Sequence, residues 1–359
     1  MKYSTAAYGD SMITAAEMDV TGRIDTRVSR VTRTRISDHI EVPEDDIVLL
    51  DVDHGGSTNH LRHFVAINHE NKEVVLSIRG TFSLSEMVVD VAGFSRELSA
   101  VGGSQYIFVL KPVYISHSLS SLYLFMFRVG PFCGGEAHSE MANMAESVWE
   151  SAGLTVVKLL KKHKKYGFVL TGHSLGGGAA CLLNILCHSN GGEIVSGRRT
   201  RCFAYAPPPS FTPLEVAANA VKDCTAYVHE ADAIPFLSID SVRHFFSSIG
   251  VIQTYAERTK FLPQLALSLG FADPDKTLLD DVRRAATKRL KPKAGAPLLA
   301  IPAASAVWMR ERKDTGKFET KVCDPRKMAM VPIFVGSSNM LQDHFPPTYE
   351  HALHNLEDE

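Results

Sequence analysis

The stretch FVLTGHSLGGGAA, residues 168–180, decides how this chain is read. Residues 168–171 are apolar or β-branched and predict a short buried strand. Gly172-His173-Ser174-Leu175-Gly176 follows, and Gly177, Gly178, Ala179 and Ala180 then open an apolar helical stretch that runs to Cys187. A strand that turns this sharply into a helix presents its central residue at the edge of the sheet. Gly172 and Gly176 leave room in the turn, where side chains would collide. Ser174 is therefore the candidate nucleophile. The helix behind it offers unpaired backbone N–H groups to an anion.

The flanking segments extend the same architecture. Two apolar runs, 64–67 and 74–78, are separated by the polar residues 68–73 and predict a hairpin. Between Glu140 and Lys161 the apolar positions 141, 145, 148, 152, 156 and 159 repeat at three and four, the period of an amphipathic helix. That helix ends in Lys and His at 161–165, where cations suit the negative end of its dipole, so the cluster reads as a solvated helix end. Residues 202–206 and 225–228 predict two further strands, and 328–334 a last one. Residues 20–46 are polar and read as surface. Strands alternating with helices place the chain in the α/β class, with a mostly parallel central sheet flanked by helices.

Composition excludes several classes of function. Of 359 residues, 45% are hydrophobic and 22% charged, the mix of a globular protein. A net charge of −2 gives nothing to attract a polyanion, so no nucleic-acid partner is expected. Six cysteines, at 133, 181, 187, 202, 224 and 323, form no CxxC pair and read as mostly buried thiols in a reducing compartment. The first 19 residues contain no apolar run, so no secretory leader is expected and the chain is expected in the cytoplasm. Contact with membranes or lipid droplets stays open. Residues 101–130 carry only Lys111 and Arg128 as charges and six aromatics, but Pro112 and a run of serines interrupt the ~20 apolar residues that a span needs.

Around Ser174 the chemistry needs a base, an acid and an oxyanion site. Arg79-Gly80-Thr81 closes the second strand of the hairpin, and its hydroxyl is a candidate oxyanion donor. Asp232 lies just past the strand at 225–228, where an acid can reach the activating imidazole; Glu230 and Asp240 compete with it. For the base, His344, His351 and His354 compete. His344 follows Asp343 in a loop, whereas His351 and His354 fall in an expected terminal helix and are read as facing solvent. The order Ser174, Asp232, His344 is that of an α/β-hydrolase. Asp51, Asp53, His54, His60, His63 and His69 crowd one stretch, but their spacing matches no zinc pattern and they are read as surface and turn residues.

Six pieces, in order, resemble the class 3 (fungal-type) lipases, and within them the branch of sn-1-specific diacylglycerol lipases. They are VVLSIRGT (74–81), AHSEM (137–141), VLTGHSLGGGAA (169–180), AYAPPP (204–209), HEADAIP (229–235) and MLQDHFPPTY (340–349). The resemblance implies an α/β-hydrolase fold, with Ser174 as nucleophile, Asp232 as acid and His344 as base. It also implies an oxyanion hole made by Thr81 and the backbone N–H of Leu175, with no cofactor and no metal. The long interval between Asp232 and His344 resembles the regulatory insertion of that branch.

On this reading residues 1–60 are an N-terminal region, part of the core or packed on it, and residues 61–356 are the hydrolase domain. The domain carries an apolar insertion at about 100–128 and a loop insertion at about 285–302. The first is read as a lid, a membrane contact or translated non-coding sequence. The implied reaction is hydrolysis of di- or triacylglycerol to release fatty acid. A phospholipase A1 activity and a non-catalytic lipid-binding role are the alternatives. The partner is an acylglycerol or phospholipid at a membrane or droplet surface; the oligomeric state stays open.

Overall fold

The structure is a computed structural model. It describes residues 1–18, 32–51, 61–80, 129–189, 195, 197–238, 280, 284, 298–328 and 342–357. The insertion at 100–128, Thr81 and Asp240 lie outside the described residues, as do most of 285–302 and all but Met328 of the strand expected at 328–334.

Helices α1 (Lys2–Ala6), α2 (Asp10–Glu17) and α3 (Arg33–Ile40) precede the sheet. Then follow β1 (Ile47–Asp51), β2 (His63–Asn68), β3 (Glu73–Ile78), β4 (Val129–Phe132) and β5 (Gly135–His138). Helix α4 (Ser139–Lys162) leads to β6 (Gly167–His173) and α5 (Leu175–Ser189). The rest comprises β7 (Thr200–Tyr205), β8 (Phe211–Thr212), α6 (Ala218–Val221), β9 (Cys224–His229), β10 (Ser305–Glu311), β11 (Phe318–Cys323), α7 (Pro325–Met328) and α8 (Pro346–His354).

Eight strands form the main sheet in the order β1-β2-β3-β6-β7-β9-β10-β11. Its five central strands, β3, β6, β7, β9 and β10, run parallel, and the outer pairs are antiparallel. All seven residues of β6 are buried, as expected of a strand covered on both faces. A small antiparallel sheet, β4-β5-β8, lies beside it. The part of 285–302 that is described is not loose. Ala300 pairs with Phe211, exchanging backbone hydrogen bonds of 2.9 and 3.1 Å.

Helix α4 forms where the apolar period predicts it. Met141, Ala145, Val148, Ala152, Val156 and Leu159 are all buried against the sheet, each of the larger ones contributing about 1.5–3 kcal/mol. Its first turn is capped by His138, whose ring accepts from the Met141 N–H at 3.4 Å. Of residues 20–46, expected at the surface, the described part from residue 32 onward requires a correction. It contributes α3, whose Ile36 and Ile40, four residues apart on one face, pack with Ala6, Ile13, Ile47 and Phe64 in a second core cluster. The N-terminal helices thereby cover β1 and β2. They also reach the middle of the sheet, where Ser4 Oγ lies 2.8 Å from Thr171 Oγ1 and Ser77 Oγ donates to the Tyr3 carbonyl at 2.8 Å.

The consequence for function is positional. The carboxyl ends of β3, β6 and β9 open on one edge, and the turns leaving them carry Gly80, Ser174 and Asp232. Ligands of open α/β sheets bind at that edge.

Candidate active site

Ser174 occupies the turn between β6 and α5 with φ = 59°, a left-handed conformation that non-glycine residues adopt rarely. Its N–H donates to the Tyr205 carbonyl at 2.8 Å, which fastens the turn to β7. The flanking glycines are a steric requirement. A Cβ on Gly172 would lie 2.2 Å from the Gly176 carbonyl oxygen, and one on Gly176 would lie 2.4 Å from that of Ile78. Leu175 is the first residue of α5, so its N–H is among those without an intrahelical partner.

His344 reaches this turn from the loop before α8. Its Nε2 lies 2.9 Å from Ser174 Oγ and its Nδ1 2.9 Å from Asp232 Oδ2. A carboxylate accepts only, so Nδ1 carries the proton and Nε2 faces the serine hydroxyl as acceptor. Asp232 sits just past β9 and is held by two more donors: the Ile234 N–H to Oδ1 at 2.9 Å and the Tyr349 hydroxyl to Oδ2 at 2.6 Å. Ser174, Asp232 and His344 are 1%, 0% and 5% exposed, so the line is screened from water, which strengthens each bond in it.

Tyr349 is fully buried, and burial together with the neighbouring Asp232 charge pushes its ionisation well above the usual phenol range. It stays a donor. Its oxygen also accepts from the His229 N–H at 3.0 Å, which ties α8 to the strand that presents the acid. His229 Nδ1 in turn lies 3.1 Å from the Asp343 carbonyl, and the Ala231 N–H donates to Asp343 Oδ2 at 3.0 Å. The loop carrying His344 is thus fastened on both sides.

The competing side chains are placed elsewhere. Glu230 faces β10, accepting from the Glu311 N–H, while its carbonyl accepts from the Trp308 indole at 2.8 Å. His351 sits edge-on to Phe318 with ring centroids 5.8 Å apart, half-buried rather than facing solvent, because α8 turns that face onto β11. His354 is exposed. His63 also departs from the surface role read for it. It is buried, with Nδ1 2.8 Å from the Leu61 carbonyl and Nε2 3.1 Å from Ser151 Oγ. Asp51 accepts from the same Ser151, and His69 pairs with Asp46 and Tyr166. Asp53, His54 and His60 lie outside the described residues.

Among the described residues, one group places three metal-ligating atoms together, Cys181, Cys202 and Cys224, with sulfurs within 4.8 Å of one another. They are buried members of the main apolar core, on α5, β7 and β9. The Cys181 and Cys224 sulfurs lie 3.6 Å apart, within reach of a thiol–thiol hydrogen bond. All six cysteines are free.

Residues 75–241 match the family model described as Lipase (class 3). Over that stretch the chain is similar to the class 3 lipases. Diacylglycerol lipase-alpha of Rattus norvegicus is 25% identical over 185 residues, which are 51% of this chain and 15% of the relative. The Homo sapiens protein is 25% identical over 182 residues, with the same coverage. The chain matches about 15% of the length of these curated relatives. A solved triacylglycerol lipase, described as having a serine protease triad as its catalytic centre, aligns with a TM-score of 0.50 at 15% identity, covering 95% of this chain and 90% of that one. The chain accordingly has the α/β-hydrolase fold. Among its described residues no helix is long and apolar enough to cross a membrane.

Three further residues at this site are given no role by the sequence reading. Tyr349, His173 and Tyr8 meet partners 117 and 165 positions away. Only the spacing of Tyr349 after His344, in the piece resembling the lipases, hints at one of them.

Proposed function

We propose that this chain hydrolyses carboxylic esters of acylglycerols, di- or triacylglycerol, and releases fatty acid. The observation that carries the reading is the hydrogen-bonded line Ser174–His344–Asp232 at 2.9 and 2.9 Å, on a strained turn of a lipase-family fold. Ser174 Oγ attacks the ester carbonyl as His344 Nε2 takes its proton. Asp232 holds the ring in the Nδ1–H form and stabilises the imidazolium. The tetrahedral oxyanion accepts from the Leu175 N–H and, on the strength of the family resemblance, from Thr81. Gly80, the residue before Thr81, supports that role: a Cβ there would lie 3.0 Å from Ser174 Cβ. Each such donor is worth about 2.7–4 kcal/mol in comparable sites. His344 then protonates the leaving alkoxide, and water frees the acyl group by the same steps in reverse.

The likeness to diacylglycerol lipase-alpha favours a diacylglycerol substrate at a lipid surface. Fatty-acid release is to be measured on mono-, di- and triacylglycerols and on phospholipids in mixed micelles. Turnover on acylglycerols that is absent in Ser174→Ala is the expected result. Preferential cleavage of phospholipids would replace the substrate assignment, and no turnover of any ester would overturn the reading.

A further inference from the structure

Tyr8 lies in the turn between α1 and α2, buried, and its phenol oxygen is 2.9 Å from His173 Nδ1 and 3.5 Å from the His173 carbonyl oxygen. The Gly80 main-chain N–H bonds to the same phenol oxygen. The three groups share one point of closest approach. A Cβ on Gly80 would lie 2.4 Å from Tyr8 Oη, 2.5 Å from the His173 carbonyl and 3.0 Å from Ser174 Cβ. The Arg79 guanidinium stacks 5.2 Å from the centroid of the Tyr8 ring, so the chain leaving β3 grips the phenol from two sides.

A phenol carries one proton and two lone pairs, so the Tyr8 hydroxyl meets His173 Nδ1 as donor or acceptor according to the ring's tautomer while it also contacts Gly80. Burial first, then the neighbouring His344, hold His173 well below the usual imidazole range, so it is neutral. Its ring lies 4.7 Å from that of His344, centroid to centroid, and 5.5 Å from that of Tyr349. A cation at His173 would oppose the imidazolium that forms on His344 during attack. The Tyr8 bond holds Nδ1 of that neutral ring.

We propose that Tyr8 is a positioning residue of the active site, its hydroxyl bolting the end of β3 at Gly80 to His173 and so setting the oxyanion side of the site against Ser174. The proposal rests on Ser174 being the nucleophile. It assigns the N-terminal segment a part in turnover, beyond covering the sheet.

The test compares Tyr8→Phe with Tyr3→Phe. Tyr3 anchors the same segment at the opposite end of β3, where its hydroxyl accepts from Asn68 Nδ2 at 3.2 Å. The readouts are kcat and KM on p-nitrophenyl butyrate, the rate of Ser174 phosphonylation by a fluorophosphonate, and the melting temperature. For Tyr8→Phe, kcat and the phosphonylation rate are expected to fall together by roughly 10- to 100-fold with KM within about twofold, as when a reacting group is misplaced. Tyr3→Phe is expected to keep the parent rates. A second pair tests the same link if Tyr8→Phe does not fold. His173→Asn, whose amide can stand in for Nδ1 as acceptor or donor, is expected to keep most of the rate, and His173→Leu to lose it. Parent rates in Tyr8→Phe overturn the proposal, as does an equal loss in Tyr3→Phe or equal rates in the two His173 variants. If the parent protein itself resists the fluorophosphonate, the failure lies with Ser174 as nucleophile and not with Tyr8.

Discussion

Substituting the glycines around Ser174 with alanine should give a graded series whose order follows from distances. The methyl of Gly172→Ala meets the Gly176 carbonyl oxygen at 2.2 Å, its carbon at 2.4 Å and the Gly177 nitrogen at 2.9 Å. All three are backbone atoms that no rotamer change can move. Ordinary contact begins near 3.4 Å, so the first turn of α5 must retreat by 3.4 − 2.2 = 1.2 Å and carry Ser174 with it. A displacement of ~1 Å at the reacting atom lowers the rate by ~10²-fold, and overpacking of this kind removes about 1–3 kcal/mol of stability. Gly177→Ala meets the Tyr205 carbonyl at 3.0 Å and that of Gly172 at 3.1 Å, a contact relieved by a few tenths of an ångström. Gly178→Ala meets only the Met141 sulfur under 3 Å, at 2.8 Å, the far part of a flexible side chain. There the ~1 kcal/mol gain in helix propensity offsets the strain. Fluorophosphonate labelling rate and thermal melting of each purified variant are the assays. The expected order of damage is Gly172→Ala, then Gly177→Ala, with Gly178→Ala near the parent. A folded Gly172→Ala that labels at the parent rate would refute the steric account of the turn.

Other outcomes follow from the same contacts. Ester hydrolysis should vanish in Ser174→Ala and His344→Ala and persist in His351→Ala and His354→Ala, as a p-nitrophenyl ester assay will show; a dead His351 variant beside an active His344 variant would reverse the choice of base. Tyr349→Phe strips Asp232 of one donor and leaves the His229 N–H unpaired, so urea denaturation should show a loss of about 1.5–3 kcal/mol, with lowered turnover. Thr81→Val should lower kcat by roughly 10²–10³ with KM little changed, and unaltered kcat in the folded variant removes Thr81 from the oxyanion site. Burial pushes the Glu350 carboxyl up, but the bonds from His39 and Thr5 outweigh it and hold it below the ordinary value of 4.5. It therefore stabilises the fold above that value and ceases to as the pH falls through its lowered one. Glu350→Gln should melt lower than the parent at pH 7, with the gap narrowing on acidification towards pH 4; a constant gap would contradict the linkage.

What the sequence disclosed, and what it hid, divides by the range of the interaction involved. The strand, turn and helix around Ser174 are legible because a run of buried residues, two glycines and a helical period all fall within 20 positions. Helix α4 is legible for the same reason, its stripe being a local repeat. His344 could be preferred over His351 by its place in a loop, but its contact with Asp232 spans 112 positions, and only the order of the family's motifs pointed there. Tyr8 and His173 gave no sign at all, since a phenol before a glycine reads as a plain turn. His63 was misread because a histidine beside a strand is usually solvated. The partner that meets its Nε2, Ser151, lies 88 positions away in the sequence. Helix α3 reads as surface because its polar residues dominate the composition, while Ile36, His39 and Ile40 make its packed face.

The central claim is that Ser174, activated by His344, is the nucleophile. Its most direct test is mass spectrometry of the protein after brief treatment with a fluorophosphonate, with the adduct mapped to a residue. The account predicts a single adduct on Ser174 in the parent protein and almost none in His344→Ala over the same interval. An adduct on another residue, or one that forms on Ser174 as fast without His344 as with it, would contradict it.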